Sequence, residues 1–317
     1  MIAGPKSFQT HTKGKLLLTG EYVVLDGAKA LAIPSRLGQR LQVSAAPELS
    51  PGILSWSSYD HQGNIWFQAS FQLADQKVLQ STDPPTSIRL LEIFRAIQQQ
   101  KPKAWHQLPG LQVRMDLEFS RHWGLGTSST LLAALAQWQA VDPYQLLWDT
   151  FGGSAYDIAC AIADGPLLYQ LNEGVPQSEA VGFHPAFAEN LYLVYSGKKQ
   201  NSREGISHYR VRFKSTSPLP LIKKIDKLTD AILTCTNLPS FELLLAEHET
   251  LIGEAIAITP VQQQYFGDYW GQIKSLGAWG GDFLLVTSNR SKKATQAYFQ
   301  TKGLHEVYGF TDWLLLS

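Results

Sequence analysis

The chain has 317 residues, enough for one large or two modest domains that each bury a core. Lys plus Arg and Asp plus Glu both number 27, and this zero net charge argues against nucleic acid or an anionic membrane as the main partner. Two cysteines exclude a disulfide framework. With no signal peptide and no apolar run near about 18 residues, the sequence predicts a cytoplasmic protein outside the membrane.

The first half of the chain is predicted to be mostly β-structure. Short runs alternate apolar and polar residues, as half-buried strands do, and Asp26 followed by Gly27 is typical of a hairpin turn. Asp142 and Pro143 predict the cap and first position of a short helix. Strands are predicted at residues 15–20, 22–25, 30–34, 41–44, 53–56, 65–71, 111–119 and 167–169, and further helices at 87–99 and 158–163.

A change in composition divides the chain. Residues 173–188 are rich in Gly, Pro and polar side chains, which predicts a boundary between a domain of residues 1–187 and one of residues 188–317. The second part is predicted to contain strands at 191–195, 283–286 and 313–316 and helices at 221–235, 240–256 and 292–301. This order of elements predicts an α+β sandwich.

The most informative stretch joins a predicted strand to a predicted helix. Residues 124–129, which we name the glycine loop, read GLGTSS and precede the apolar run 131–136. Two glycines let the backbone approach an anion, and the first N–H groups of a helix have no partner inside it. The loop is therefore predicted to bind a phosphate, although a tight turn with a hydroxyl cap explains the same residues. The sequence matches neither the Walker nor the Rossmann pattern.

Three stretches resemble the three motifs of the GHMP kinases in their order along the chain. Residues 15–22, the first motif, read KLLLTGEY, and the glycine loop reads GLGTSS. Residues 277–282, the late loop, read GAWGGD. The family patterns are roughly GKxxLxGE[HY], GLGSS and GAGGGD. Residues 153–159, GSAYDIA, are similar to an element of the phosphomevalonate kinases.

The resemblance implies a two-domain α+β fold. The N-terminal domain would be like the second domain of ribosomal protein S5, and the C-terminal domain would be ferredoxin-like. It also implies ATP and Mg²⁺, with Thr127 or Ser128 contacting the metal. The ATP phosphates would be bound by Gly124, Leu125, Gly126, Thr127, Ser128 and Ser129.

The resemblance further implies a catalytic pair and an acceptor-binding set. Lys15 and Asp157 would flank the acceptor hydroxyl, although a solvated strand-end lysine and a helix-capping aspartate are the alternatives. Residues 197–203, the basic turn, could bind a phosphate or carboxylate of the acceptor or simply be solvated. Glu21 could instead be an exposed charge on an edge strand. The residues predicted to bind the acceptor are Glu21, Tyr22, Ser154, Lys198, Arg203, Gly277, Ala278, Gly280 and Gly281.

Several positions depart from the family pattern. Ala155 and Trp279 each replace a glycine, and the tryptophan either reshapes the acceptor pocket or turns outwards. Asp149 is the nearest candidate for a second acidic Mg²⁺ ligand. The predicted function is an ATP-dependent kinase for mevalonate or phosphomevalonate in isoprenoid precursor synthesis. The alternatives are a kinase for another alcohol or sugar, and a catalytically silent ligand-binding relative; the oligomeric state is left open.

Overall fold

The computed structural model describes residues 7–198, 202–277, 279 and 281–316, without the side chains of residues 202 and 203. The strands found in these residues are β1 (Phe8–Leu17), β2 (Ala30–Ala45), β3 (Ile53–Tyr59), β4 (Ile65–Gln72), β5 (Lys77–Ser81), β6 (Leu111–Leu117), β7 (Leu167–Asn172), β8 (Val175–Ala180), β9 (Leu191–Tyr195), β10 (Ile273–Ser275), β11 (Phe283–Thr287) and β12 (Val307–Gly309).

The other regular elements are helices. They are α1 (Pro84–Gln100), α2 (Thr127–Gln139), α3 (Pro143–Thr150), α4 (Tyr156–Ile162), α5 (Ser202–Arg212), α6 (Leu219–Leu233), α7 (Leu238–Ile256), α8 (Val261–Tyr265), α9 (Lys292–Thr301) and α10 (Phe310–Trp313), with short 3-10 turns at Val23–Asp26 and Ala188–Asn190. Within the described residues, no helix combines the length and the apolar character that crossing a lipid bilayer requires.

The first of two compact units is built from the described parts of Met1–Gly14, Leu37–Arg121 and Gly126–Ile162. Its strands lie in the order β5-β4-β3-β6-β2, with β3 parallel to β6 and the other neighbouring strands in that order antiparallel. Helices α1 to α4 complete the core. Phe94 of α1 lies at its centre, with ring centroids 5.2 Å from Phe71 and 5.4 Å from Trp105.

The second unit comprises the described parts of Lys15–Arg36, His122–Leu125 and Ala163–Ser317. It contains an antiparallel sheet in the order β10-β11-β9-β12 and the hairpin of β7 and β8, which pairs with Ala30–Ala32 at the start of β2. Both units are discontinuous in sequence. The predicted boundary between residues 187 and 188 is a different division of the chain, and it stays a prediction.

The segment after the first motif differs from its prediction. Residues 23–25 lie in the 3-10 turn Val23–Asp26, and Tyr22 precedes that turn, so none of residues 22–25 is in a strand and Asp26 and Gly27 do not close a two-residue hairpin. Val23 and Val24 are both buried, whereas a half-buried strand would send every second side chain to solvent. A continuous apolar run cannot by itself distinguish these two structures.

The C-terminal prediction was also wrong. Trp313 is the last residue of the short helix α10, and residues 314–316 follow it. Within the described residues, their only strand-like pairing is one isolated bridge, from Leu314 to Ser35. The preceding segment β12 occupies the sheet edge instead and pairs with β9. Most of the other predicted elements are present, including α3, whose cap Asp142 accepts hydrogen bonds from the N–H groups of Tyr144 and Gln145. The strands β5, β8 and β10 and the helices α5 and α8 had not been predicted.

Helix α7 offers a test of backbone strain. Ala257 ends it at φ 56° and is exposed, a left-handed conformation that costs an alanine more than a glycine. Ala257→Gly should raise the free energy of unfolding by about 0.5–1 kcal/mol. Ala297→Gly, at an exposed position inside α9 of the same unit, should lower it by about 1 kcal/mol. Urea unfolding measures both changes. If the free energy of unfolding changed in the same direction in the two variants, this account would be contradicted.

Candidate active site

The glycine loop enters α2 as the sequence predicts. Gly126 adopts φ 90° and precedes the first helical residue, and no side chain caps the first turn. The first helical hydrogen bond runs from the N–H of Thr130 to the carbonyl of Gly126, 3.0 Å. The amides of residues 127–129 precede that bond and lie at the positive end of the helix dipole. This arrangement suits an anion such as phosphate.

The hydroxyl groups at this helix start differ in their surroundings. Ser129 is buried, and its hydroxyl donates to the carbonyl of Gly126 at 2.8 Å. The Thr130 hydroxyl donates to Gln39 inside the first unit at 2.7 Å. Thr127 is half-buried and Ser128 is exposed. The hydroxyl groups of Thr127 and Ser128 are therefore more accessible to a ligand than that of Ser129.

The first two loop residues belong to the second unit. The carbonyl of Leu125 accepts a hydrogen bond from the N–H of Lys15, 3.0 Å. Gly124 has φ 64°, and a Cβ added to it would lie 2.2 Å from the carboxylate of Asp282. No residue with a side chain fits at position 124 unless Asp282 moves. Asp282 is the last residue of the late loop, and the sequence had predicted no role for it.

The predicted catalytic residues lie in different units. Lys15, near the end of β1, is half-buried and belongs to the second unit, whereas Asp157, at the start of α4, is half-buried and belongs to the first. The Asp157 carboxylate accepts from the N–H of Ile158, 3.1 Å. Before it, Ser154 is buried and Ala155 has φ 68°, the conformation for which a glycine would be the usual residue. The joint action of Lys15 and Asp157 on an acceptor stays a prediction.

Comparison with known proteins points to one fold. No protein-family model and no curated protein matches the sequence. Solved structures do match: Methanococcus jannaschii mevalonate kinase is 16% identical with a TM-score of 0.71, and the match covers 98% of this chain and 99% of that one. Streptococcus pneumoniae phosphomevalonate kinase, in complex with phosphomevalonate and AMPPNP, is 15% identical with a TM-score of 0.68, over 95% and 99% of the chains.

Lactococcus lactis galactokinase complexed with galactose is 12% identical with a TM-score of 0.67, over 98% and 94% of the chains. This chain has the GHMP kinase fold. The fold predicted from the three motifs is thereby confirmed. The similar structures include kinases with different names and different bound molecules, so the shared fold does not select an acceptor.

In this GHMP kinase fold, the late loop contains a buried tryptophan. Gly277 has φ 68°, Gly281 is buried, and residues 278 and 280 lie outside the described part. Trp279 is 2% exposed and packs in a hydrophobic cluster with Tyr22, Val23, Ile252 and Ile256 among others. The alternative that this tryptophan turns outwards is therefore wrong.

The basic turn is only partly described. Lys198 is exposed, and its carbonyl accepts from the N–H of Asp282, 2.7 Å. Residues 199–201 and the side chain of Arg203 lie outside the described part. Among the described residues, no group of three or more His, Cys, Asp or Glu side chains has the arrangement of a metal site. Asp149 accepts a hydrogen bond from Gln145 at 2.7 Å, and its predicted metal role stays untested.

Glu21 is not an exposed strand-edge charge. It is 1% exposed, and its carboxylate pairs with the ammonium of Lys274, which is also fully buried. Lys274 further donates to the carbonyl of Ser275 at 2.9 Å and lies 3.8 Å from Glu249. Burial raises the pKa of Glu21, and the charge of Lys274 opposes that shift. Nothing in the sequence pointed to this cluster. His248 and Glu249 lie in a segment predicted only as a helix, and Lys274 lies where no element was predicted.

The neighbouring histidine is neutral. Burial and the charge of Lys274 lower the pKa of His248 well below its ordinary value. Its Nε2 accepts a hydrogen bond from the N–H of Gly20 at 3.0 Å, so the ring proton resides on Nδ1. The contact of 3.4 Å between Nε2 and Glu21 is therefore not an ion pair.

Glu249 makes the stability of this cluster depend on pH. Burial raises its pKa to about 8, with Lys274 opposing and Glu21 reinforcing the shift. Because the unfolded state ionises this carboxyl first, the free energy of unfolding should fall as the pH rises from about 4.5 to 8. Glu249→Gln should remove this fall, which is at most about 1.4 kcal/mol per pH unit.

Urea unfolding across this pH range measures the effect. The matched control is Glu254→Gln, on the same helix but exposed. Its stability curve should run parallel to that of the parent protein. A Glu249→Gln curve that also runs parallel to the parent would contradict the raised pKa.

Proposed function

We propose that this chain is an ATP-dependent phosphotransferase that acts on an alcohol or phosphate group of a small molecule. The observation that supports it best is the start of α2, where Gly126 at φ 90° precedes a helix of 13 residues with no side-chain cap. Such a start offers backbone amides and the positive end of a helix dipole to phosphate oxygens. The fold shared with kinases, one of them holding AMPPNP, supports ATP as the donor.

The glycine loop would hold the ATP phosphates through its backbone amides. Thr127 or Ser128 would contribute a hydroxyl oxygen to Mg²⁺, which accepts oxygen ligands and keeps several waters. When bound, this ion supplies positive charge that neutralises the phosphate oxygens. The Ser129 hydroxyl already donates to Gly126, so this residue would contribute its backbone amide.

Asp157 and Lys15 would act on the acceptor. The acceptor oxygen forms a bond to the γ-phosphorus while the bond from that phosphorus to the bridging oxygen breaks. Asp157 orients the acceptor group and, where that group is a hydroxyl, takes its proton. Lys15 stabilises the carboxylate and the negative charge that develops on the transferring oxygens. An alcohol acceptor gives ADP and a phosphate ester, whereas an acceptor phosphate, such as that of phosphomevalonate, gives ADP and a diphosphate.

Mevalonate and phosphomevalonate are the acceptors we favour. The element GSAYDIA at residues 153–159 supports this choice, as do the mevalonate and phosphomevalonate kinases among the similar structures. Lys198 and Arg203 would bind the carboxylate or phosphate of such an acceptor, and Ser154 and the late-loop residues Gly277, Ala278, Gly280 and Gly281 would line its site. The galactokinase of the same fold makes another alcohol or a sugar the second candidate.

The test is ADP release coupled to NADH oxidation, with mevalonate, phosphomevalonate, homoserine and galactose as acceptors. Asp157→Asn should lower kcat by about 10²–10⁴-fold, because the amide cannot accept the proton, while the affinity for ATP persists. Lys15→Met should act in the same direction, and the double variant should be little worse than either single one. Asp75→Asn, which removes an exposed carboxylate from the same unit, should keep its turnover.

Near-normal turnover of a folded Asp157→Asn variant would rule out the proposed mechanism. No acceptor-dependent ADP release from the parent protein, despite bound ATP, would favour the silent relative. A strong preference for galactose would select the second candidate.

A further inference from the structure

Two neighbouring residues of the first motif bind the chain around the late loop. The carboxylate of Glu21 pairs with Lys274, which precedes Gly277 by three positions. The hydroxyl of Tyr22 accepts a hydrogen bond from the backbone N–H of Trp279, 3.1 Å. One contact therefore lies just before the late loop and the other inside it.

The second contact is well shielded from water. Tyr22 is 7% exposed and Trp279 is 2% exposed, and both side chains belong to the same hydrophobic cluster as Val23 and Ile256. A buried N–H that loses its acceptor bears the full penalty of desolvation. Removing the Tyr22 hydroxyl therefore changes the environment of the late-loop backbone while leaving the aromatic ring to fill its space.

Helix α5 packs onto the same hydroxyl. A Cβ added to Gly205 would lie 2.3 Å from the Tyr22 hydroxyl oxygen and 2.5 Å from the ring carbon that carries it. Position 205 thus admits only glycine while Tyr22 keeps its place. Because α5 begins at Ser202, within the basic turn, the Tyr22 hydroxyl lies where the first motif, the late loop and the helix after the basic turn meet.

The backbone of Tyr22 is itself held in an uncommon conformation. Its φ is 62°, which a bulky residue adopts at a cost and which persists only where the surroundings fix it. The ion pair of Glu21 on one side and the buried 3-10 turn at Val23–Asp26 on the other supply such fixation. The tyrosine is therefore placed by its neighbours and in turn places Trp279.

We propose that Tyr22 is a positioning residue that sets the late loop against helix α5 and thereby shapes the acceptor end of the active site. The inference rests on the proposed function for its kinetic consequence. It differs from the sequence prediction for Tyr22, because the hydroxyl acts through Trp279 and Gly205 rather than by touching the acceptor.

The experiment uses Tyr22→Phe and Gly205→Ala in the full chain, with two readouts. Steady-state kinetics should show an acceptor KM raised about fivefold or more in both variants, with the ATP KM within about twofold of the parent. Hydrogen exchange followed by mass spectrometry should show faster exchange in the peptide that spans residues 274–284. The control Tyr298→Phe removes a hydroxyl that donates to Asp268 at 2.7 Å and should change neither readout.

The outcomes separate this inference from the function on which it rests. If the parent transfers phosphoryl groups but Tyr22→Phe keeps both its acceptor KM and its exchange pattern, the positioning role is overturned. Equal increases in the two KM values would overturn it as well. If the parent phosphorylates none of the acceptors, the proposed function fails and the exchange readout decides. Faster exchange at residues 274–284 then supports the role, and unchanged exchange overturns it.

Discussion

The buried ion pair of Glu21 and Lys274 constrains how two distant segments of the second unit are placed. Neither side chain has contact with water, so each charge lost its hydration on folding and relies on the other for compensation. Lys274 also donates to the carbonyl of Ser275, and His248 is kept neutral beside it. Such a pair is weak evidence for net stability, but it fixes which two segments must meet.

The first motif, the first two residues of the glycine loop and the late loop are connected by contacts within the second unit. Gly20 and Glu21 meet His248 and Lys274, and Lys15 bonds to the carbonyl of Leu125 in the glycine loop. Gly124 lies against the Asp282 carboxylate at the end of the late loop. Trp123, the residue before Gly124, packs on aromatic rings of the four-stranded sheet and of α10, with ring centroids 5.9 Å from Phe283 and 4.8 Å from Trp313. These contacts bring stretches that are far apart in sequence next to one another.

Many elements of the fold, and the glycine loop, were predictable from short stretches of sequence. Caps such as Asp142, alternation in the strands and the glycines before α2 are signals that a few neighbouring residues carry, and the three motifs together predicted the fold. The sequence could not reveal the partner of Glu21, because a charge 253 positions away has no local signal. For the same reason the burial of Trp279 and the turn at Val23–Asp26 were missed, since both depend on packing against distant helices.

A double-mutant cycle on the ion pair tests the central claim most directly. The free energies of urea unfolding would be measured for the parent protein, Glu21→Gln, Lys274→Met and the double variant. Each single change should cost about 3–5 kcal/mol because it leaves one charge buried without its partner, and the double variant should be much more stable than the sum of the two predicts. Additive losses, or single variants as stable as the parent, would contradict the claim that this pair holds the first motif to the strand before the late loop.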